Sequence, residues 1–370
     1  YRLFHGSGEG LPGVTLDRYG DLALLQSFHA PLPEAAVAEV ANELGRRLPG
    51  LRAVALGAAL GTLPDLDVLI PYGNAVDDFT KHRGFSHSFL VLMLLAPILA
   101  WPLWRWLGPA VSYGRSWAFC TLALVTHPLL DGFTVYGTQW FWPSTRAPVS
   151  LSSIFIVDPA YTLPLLLGLG GTLWLRRRDA SRAAWPNALG LTLATLYLGA
   201  SLGAKAVIEA RVERTLALPA GASEGTVLTT PAPLNILLWR IVVVDGDSYQ
   251  EGYSSLFDPP GALRFQRYDS AAPPLWLAAH PDFQRLSWFT HGFYGLKALP
   301  EGAYEVTDLR MGAEPDYIFR FRFDPPEGPS LQAPRPSAIP GSTPRSEALG
   351  PLLRRITDPD ALEAFRPPSA

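Results

Sequence analysis

Apolar runs fill the middle of this 370-residue chain, and polar sequence lies on both sides of them. The runs cover residues 51–63, 88–107, 117–130, 161–175 and 186–206. The second and the fifth are about 20 residues long, which is enough for a helix that spans a bilayer. The other three form helices of only about 20 Å, which must end within the membrane or at its surface. The pattern predicts a mainly α membrane bundle of about four to five helices, some short or re-entrant.

In the polar sequence after residue 206, apolar and polar residues alternate with the short period that is typical of β-strands. Strand-like segments occur at 237–239, 241–244, 304–306 and 317–323. A hairpin turn is indicated by Asp245-Gly246-Asp247-Ser248. We therefore expect a membrane-embedded helical domain over residues 51–206 and a β-rich (α+β) soluble domain over residues 207–325. Residues 326–370 begin with a stretch rich in proline and serine, and we expect a largely disordered tail there.

Residues 1–50 are soluble in character and form a separate segment. Short strands are predicted at 14–16 and 22–25, and an amphipathic helix at 33–48. Residues 8–21 read Gly-Glu-Gly-Leu-Pro-Gly-Val-Thr-Leu-Asp-Arg-Tyr-Gly-Asp, a string that resembles the N-terminal stretch of RlmI-type large-subunit ribosomal RNA methyltransferases. No Gly-rich cofactor loop follows a strand here. We therefore expect a methyltransferase-like fragment without methyltransferase function.

Charge and cysteine content exclude several classes of protein and site. The net charge is −3 and the sequence has no continuous basic stripe, so no nucleic-acid partner is expected. The single cysteine, Cys120, lies in an apolar run. It excludes an internal disulfide and a zinc site built from cysteines, and we expect it to be a small core residue.

Three short polar strings interrupt the apolar part of the chain, at residues 64–67, 82–88 and 126–131. Ionisable groups at membrane depth are costly, so they indicate a functional site. Aspartate and neutral histidine are ligands that divalent zinc, manganese and iron accept. The strings therefore predict a metal site, and its candidate ligands are Asp65, Asp67, His82, His87, His127 and Asp131.

Each string also has a plainer interpretation. His127 and Asp131 are four residues apart on one helix face, where both side chains can reach one ion. In the plainer interpretation, the aspartate ends the helix and the histidine bonds a backbone carbonyl. The two histidines of the second string chelate from a loop, or lie beside lipid headgroups. The two aspartates of the first string bind metal, or cap a solvated helix end. Asp158, which precedes Pro159, is expected to cap a helix, with a metal role as the alternative.

Arginines set the expected orientation in the membrane. They occur at 46, 47 and 52, at 105 and 115, and at 176–178 and 182. Alternating helices place all three groups on one side, which is the cytoplasmic side by the positive-inside rule. The three polar strings then lie together on the outer side. We expect a multi-pass protein of the inner (plasma) membrane with its metal site and β domain outside.

Three residues are candidates for catalysis, namely Asp65, Asp67 and Arg83. An aspartate that does not bind metal would take a proton from the attacking water. Arg83 would hold a phosphate through two parallel hydrogen bonds, or else pair with Asp77 or Asp78.

The polar strings belong to a longer series. It reads Leu-Pro-Asp-Leu-Asp at 63–67, His-Arg-Gly-Phe-Ser-His-Ser at 82–88, His-Pro-Leu-Leu-Asp at 127–131, Phe-Thr-Val-Tyr-Gly-Thr at 133–138 and Ile-Phe-Ile-Val-Asp-Pro-Ala-Tyr-Thr at 154–162. In this order the strings resemble the YdjM-like family of membrane-bound metal-dependent hydrolases, from residue 57 to about residue 323. That family is commonly compared with zinc-dependent phospholipase C, so the resemblance implies zinc first, with manganese or iron as alternatives. Such proteins usually carry a helix with an Asp-x-x-Thr-(His/Gln) string just before the equivalent of Leu51, where this chain has the methyltransferase-like fragment.

The leading expectation is a membrane-bound hydrolase that cleaves a lipid or lipid-linked (phospho)ester with metal-activated water. Its partners would then be the membrane and a lipid substrate. The alternative is a non-catalytic membrane protein with a structural metal site and a partner-binding β domain. A metal or proton transporter is a third reading, but the fifth apolar run offers only Ser201 and Lys205 near its end.

Overall fold

The structure is a computed structural model that describes residues 2–5, 14–19, 22–27, 53–107, 111–176, 178–217, 225–326, 334–341 and 346–362. The chain forms two compact units, one of Tyr1–Ala55 with Leu173–Ala183 and one of Leu56–Thr172 with Ala184–Ala370. The first unit contains an antiparallel sheet in the order β1 (Arg2–His5), β2 (Val14–Tyr19) and β3 (Leu22–Ser27). This sheet confirms the two predicted strands. The helix predicted at 33–48 lies outside the described residues.

Six helices occur between residues 53 and 215 of the described chain. They are α1 (Ala53–Thr62), α2 (Ala75–Lys81), α3 (Phe89–Leu107), α4 (Tyr113–Asp131), α5 (Pro159–Leu175) and α6 (Trp185–Thr215). Among the described residues, α3 and α6 are long and apolar enough to cross a membrane. Large apolar side chains on both remain uncovered, for example Ile98 at 67% and Leu196 at 64% exposure. A bundle of four to five membrane helices remains a prediction.

Helices α3 and α4 pack on each other through small residues. Ala96 and Ala100 lie one turn apart on α3 and are completely buried, in a core that includes Cys120 and Leu124 of α4. Small side chains let two helix backbones approach closely. Cys120 is a buried free thiol, as predicted. This packing holds the last turn of α4, where the third polar string lies, against the start of α3.

Helices α5 and α6 also approach closely. A Cβ on Gly190 would lie 2.4 Å from the carbonyl oxygen of Pro164, so only glycine fits there. Helix α6 continues to Thr215, nine residues beyond the predicted end of the apolar run at 206. The extension packs on the β region, because Ile208 and Val212 are buried in a core that includes Trp239.

The region after α6 is β-rich, as predicted, and its strands pair antiparallel. One sheet has the order β4 (Val227–Pro231), β5 (Leu238–Asp245), β6 (Ser248–Ser255) and β7 (Phe265–Asp269). A second has the order β13 (Ser337–Ile339), β12 (Arg320–Phe323), β9 (Tyr304–Asp308) and β8 (Tyr294–Ala298). Strands β10 (Gly312–Ala313) and β11 (Asp316–Tyr317) pair separately, and helices α7 (Leu275–Ala278) and α8 (Pro281–Phe289) precede β8.

The segment predicted to be a disordered tail contains one strand and one helix. Strand β13 pairs with β12, and helix α9 (Ser346–Arg354) follows it. Just after α9, Arg355 is buried and forms an ion pair with Asp258 at 2.7 Å. The expectation of disorder is therefore wrong for residues 337–339 and 346–354, because β pairing and a buried ion pair outweigh the proline-rich composition.

The β region shares a hydrophobic core with the scaffold of the polar strings. Val76 and Phe79 of α2 are buried with Tyr136, which follows α4, among aromatic residues that include Phe289 and Phe321. The Tyr136 hydroxyl donates to the carbonyl of Phe79 at 2.7 Å. The segments between α1 and α3 and after α4 are thus held by the β region.

Candidate metal centre

The three polar strings meet at one place although they come from three different elements. Asp65 lies in a 3₁₀ turn, Pro64–Leu69, that follows α1 and begins at a proline. His87 ends a second 3₁₀ turn, Phe85–His87, just before α3. His127 and Asp131 lie on one face of the last turn of α4, as their spacing predicts.

Four ligand atoms of these residues surround a common point. Nε2 of His87 lies 3.3 Å from Oδ1 of Asp65 and 3.2 Å from Oδ2 of Asp131. Nε2 of His127 lies 3.3 Å from the same atom of Asp65 and 3.4 Å from the same atom of Asp131. All four atoms lie within 4.8 Å of one another. Ligands of a tetrahedral ion with bonds of about 2.1 Å are about 3.4 Å apart, so the spacing suits one shared cation.

Hydrogen bonding fixes the tautomer of His87. The hydroxyl of Ser86 donates to Oδ2 of Asp67 at 2.5 Å, so its oxygen accepts from Nδ1–H of His87 at 2.9 Å. Nε2 of His87 is then left with a free lone pair that points at two carboxylate oxygens. A metal-binding histidine is oriented by a hydrogen bond from its other ring nitrogen in this way.

Two of the ligand atoms lack any hydrogen-bond partner in the described structure. Both Nε2 of His87 and Oδ2 of Asp131 are buried and unpaired. An unpaired buried acceptor costs about 1–3 kcal/mol, and these two atoms lie 3.2 Å apart. A cation satisfies both at once, so the donor set fits a divalent metal ion.

Asp67 and His82 lie behind this group and bond to each other. Oδ1 of Asp67 is 2.7 Å from Nδ1 of His82, and its Oδ2 accepts from the backbone N–H of Arg83 at 3.0 Å and from Ser86. Burial alone would raise the pKa of Asp67, but the hydrogen bonds from His82 and Ser86 lower it on balance. Neither residue belongs to the four-residue group. Direct metal binding by Asp67 and His82 remains a prediction.

Arg83 supports the other carboxylate of the group. Its backbone adopts a left-handed conformation with a φ of 59°. The guanidinium lies 3.3 Å from Oδ1 of Asp131, donates to Oγ1 of Thr134 at 3.3 Å and covers the ring of Tyr136. The alternative pairing with Asp77 or Asp78 is not observed, since Asp77 bonds Lys81 and Asp78 accepts the N–H of Tyr72.

The group is open on the side of Asp65. The Asp65 side chain is 43% exposed, whereas His87 is completely buried. The hydrogen bond from His127 holds the pKa of Asp65 well below its usual range, so it is ionised. The turn that carries Asp65 also exposes Val68 and Leu69 at 69% and 75%. The opening therefore has an apolar rim.

Sequence reasoning missed the part played by Ser86. It lies inside the second string, and its position beside a candidate ligand is the signal that would have found it, because a hydroxyl there can orient the histidine. Asp158 is the helix cap that the sequence predicts. It accepts the N–H of Ala160 at 2.9 Å and the hydroxyl of Tyr197 at 2.8 Å, outside the four-residue group.

Comparisons with known proteins place the metal group inside a recognised region. A family described as YdjM inner membrane protein matches residues 27–210. The inner membrane protein YbcI of Escherichia coli (strain K12) is 34% identical over 160 residues, which is 36% of this chain and 90% of the relative. The uncharacterized protein YfhP of Bacillus subtilis (strain 168) is 25% identical over 191 residues, 52% of this chain and 55% of the relative. No solved structure matches.

The matched region differs from the resemblance drawn from the motifs. It begins at residue 27, so it includes part of the segment assigned to the methyltransferase-like fragment, and it ends at residue 210, before the β region. All four residues of the metal group lie inside it.

Proposed function

The chain belongs to the YdjM inner membrane protein family, and from that premise we propose that it is a membrane-bound metal-dependent hydrolase of a lipid or lipid-linked phosphoester. One observation carries the proposal. Two histidines and two aspartates direct their ligand atoms at one point, and two of those atoms are buried without a partner.

The residues that would hold the ion are Asp65, His87, His127 and Asp131. Two imidazole nitrogens with two carboxylate oxygens suit zinc best, and manganese and iron also accept this set. Such an ion, when bound, polarises a scissile ester and lowers the pKa of a water molecule.

The chain's own groups would position the substrate and move protons. Asp67 holds His82 through Nδ1, so the other ring nitrogen of His82 can take a proton from the attacking water. The sequence suggested Asp65 or Asp67 for that step. Asp67 is engaged by three donors and is almost completely buried, so we assign it the orientation of His82 instead. Arg83 adds positive charge beside Asp131, where a phosphate would approach.

The apolar rim supports a lipid substrate. Val68 and Leu69 are exposed beside the open side of the group, so a molecule that enters from a membrane surface would meet apolar side chains first. The arginine distribution supports an outer location for the site, because the positive-inside rule would put the groups at 105–115 and 176–182 on the cytoplasmic side.

A structural metal site is the second candidate. The four ligands come from three separate segments, so an ion would cross-link the turn after α1, the turn before α3 and the end of α4. In that case the ion would raise stability without supporting turnover.

Metal content and hydrolysis, measured on the same preparations, separate the two candidates. Wild type, Asp65→Ala and the control Asp247→Ala are purified in detergent, analysed for metal and assayed with phospholipids and soluble phosphodiesters. Asp247 is 81% exposed and distant in the β region. We expect wild type and the control to bind metal and hydrolyse, and Asp65→Ala to lose both. Metal-loaded wild type that hydrolyses no ester tested, while metal raises its melting temperature, would favour the structural site.

A further inference from the structure

A second site candidate lies in the β region, and its lining reaches Thr134 and Tyr136, which contact Arg83 next to the metal group. A partly open cavity of about 550 Å³ is lined by the sheet β4–β7, the segments after α4, the β10–β11 hairpin and helix α9. This volume falls within the range of about 300–1,000 Å³ that is typical of pockets for small ligands. The proposed hydrolase function makes no use of it.

One wall of the cavity is a polar face of the sheet. Arg240 on β5 pairs directly with Tyr253 on β6, and Glu251 on β6 pairs with Gln266 on β7. Residues two apart on a strand point to the same face, so these four side chains form one continuous polar surface.

The opposite wall is apolar. It includes Ile154, Ile156, Met311 and Leu352. Ile156 is 55% exposed and lies three residues before helix α5 begins at Pro159, so this wall continues towards the apolar helices. An occupant must therefore present an apolar side to one wall and hydrogen-bonding groups to the other.

The charges on the polar wall are already compensated. Arg240 bonds the carboxylate of Glu251 and donates to the carbonyl of Leu309 at 2.8 Å. Arg310, which also lines the cavity, is paired with Asp308 at 2.8 Å. Burial, reinforced by the Glu251 carboxylate, raises the pKa of Glu314 despite the hydrogen bond it accepts from Tyr249. Such a wall does not favour an anion such as a phosphate.

Hydrogen-bonding capacity nevertheless remains free on this wall. Nε of Arg240 is buried without a partner in the described structure, and the hydroxyl of Tyr253 and the side-chain amide of Gln266 lie on the same wall of the cavity. An uncharged head with several hydroxyls would satisfy these groups. We propose that the cavity binds a neutral amphiphile, whose hydroxyl-bearing head lies on the sheet face and whose hydrocarbon part lies on the apolar wall.

The test uses the full-length protein in phosphatidylcholine nanodiscs and a photoreactive alkyl glucoside with a diazirine in its chain. We expect labelling of peptides that contain residues 154–156 and 311–313, and protection by octyl glucoside but not by phosphatidic acid. Stronger competition by phosphatidic acid would overturn the neutral-head assignment.

Variants locate the binding site. Ala313→Trp and Ala232→Phe place large side chains in the cavity, whereas Ala279→Trp adds the same bulk at an exposed position outside it. We expect the first two to abolish protected labelling and the third to leave it unchanged. Tyr253→Phe keeps the ring and should weaken glucoside binding about fivefold, as expected for one lost hydrogen bond.

Labelling that is equal in wild type, Ala313→Trp and Ala232→Phe would overturn the proposal. Metal content is measured in the same samples and should not change, so failure here is distinguishable from failure of the hydrolase proposal.

Discussion

Asp131 and Asp308 are both buried carboxylates beside an arginine, yet they are bonded differently. Both oxygens of Asp308 accept from Arg310, at 2.9 Å and 2.8 Å, and the same arginine donates to the carbonyls of Tyr136 and Phe289. Only one oxygen of Asp131 contacts its arginine, Arg83, and the other has no hydrogen-bond partner in the described structure.

The difference separates a structural pair from a binding group. A buried ion pair is tolerated when further hydrogen bonds satisfy every polar atom, and Asp308 with Arg310 meets that condition. An unpaired buried acceptor beside other acceptors is unfavourable until a cation arrives. We therefore expect changes at Asp308 and Arg310 to affect folding, and changes around Asp131 to affect metal binding.

The largest effect is expected at the metal group. Asp131→Ala removes one of four ligands and should weaken metal affinity more than about a hundredfold. The metal-free variant loses an unpaired acceptor but also leaves the buried Arg83 without its carboxylate, so it should melt below metal-free wild type. Metal analysis and calorimetry with added zinc check this. Full metal stoichiometry in the variant would contradict the ligand assignment.

The structural pair should show the opposite response. Arg310→Ala leaves Asp308 buried and unpaired, and should lower the free energy of unfolding by about 3–5 kcal/mol. Denaturant titration in detergent measures this change, with Arg267→Ala as the control because Arg267 is 63% exposed. Metal bound per folded molecule should stay at the wild-type level. A loss of metal larger than the loss of folded protein would show that the two regions are not separate.

An intermediate effect is expected where hydrogen bonding supports a ligand. Ser86→Ala removes the acceptor for Nδ1–H of His87, so the ring is no longer held and metal affinity should fall about 10–100-fold. Ser86→Thr keeps the hydroxyl and should restore most of the affinity. Competition with a metal-sensitive dye measures both variants. Equal loss in both would indicate that packing rather than the hydroxyl matters.

The smallest effect concerns His291, which lies beside the structural pair. Its Nε2–H donates to the carbonyl of Pro148 at 2.9 Å, and burial together with Arg310 lowers its pKa. The unfolded chain then binds more protons below the ordinary pKa of about 6.5, so this contribution to stability is complete above that pH and decreases as the pH falls. His291→Asn should reduce the loss of stability between neutral and mildly acidic pH. An unchanged pH profile would exclude His291 as its source.

Local spacing and apolar length predicted much of the architecture. The four-residue separation of His127 and Asp131 placed both on one helix face, because an α-helix repeats every 3.6 residues. The length of the apolar runs located α3 and α6, although α6 extends further than its apolar part. Strand β5 covers two segments that were predicted separately, since Arg240 interrupts the apolar pattern and is buried by its pairing with Glu251.

The tertiary structure decides which of the polar residues lies in the metal group and which lies behind it. His82 and His87 belong to one string, but the 3₁₀ turn between them directs His87 towards Asp131 and His82 towards Asp67. Sequence spacing along an irregular turn does not determine side-chain direction, so no local rule could have separated them.

The sequence by itself determined which residue types could bind a metal, which segments are apolar enough for a membrane, and that the region after α6 is β-rich, because these follow from composition and short-range periodicity. Only the tertiary structure decided that Arg83 supports Asp131, that Ser86 orients His87, and that the β region encloses a cavity. These features depend on contacts between residues far apart in the chain, and their geometry is set by the packing of α2 and Tyr136 into the core of the β region.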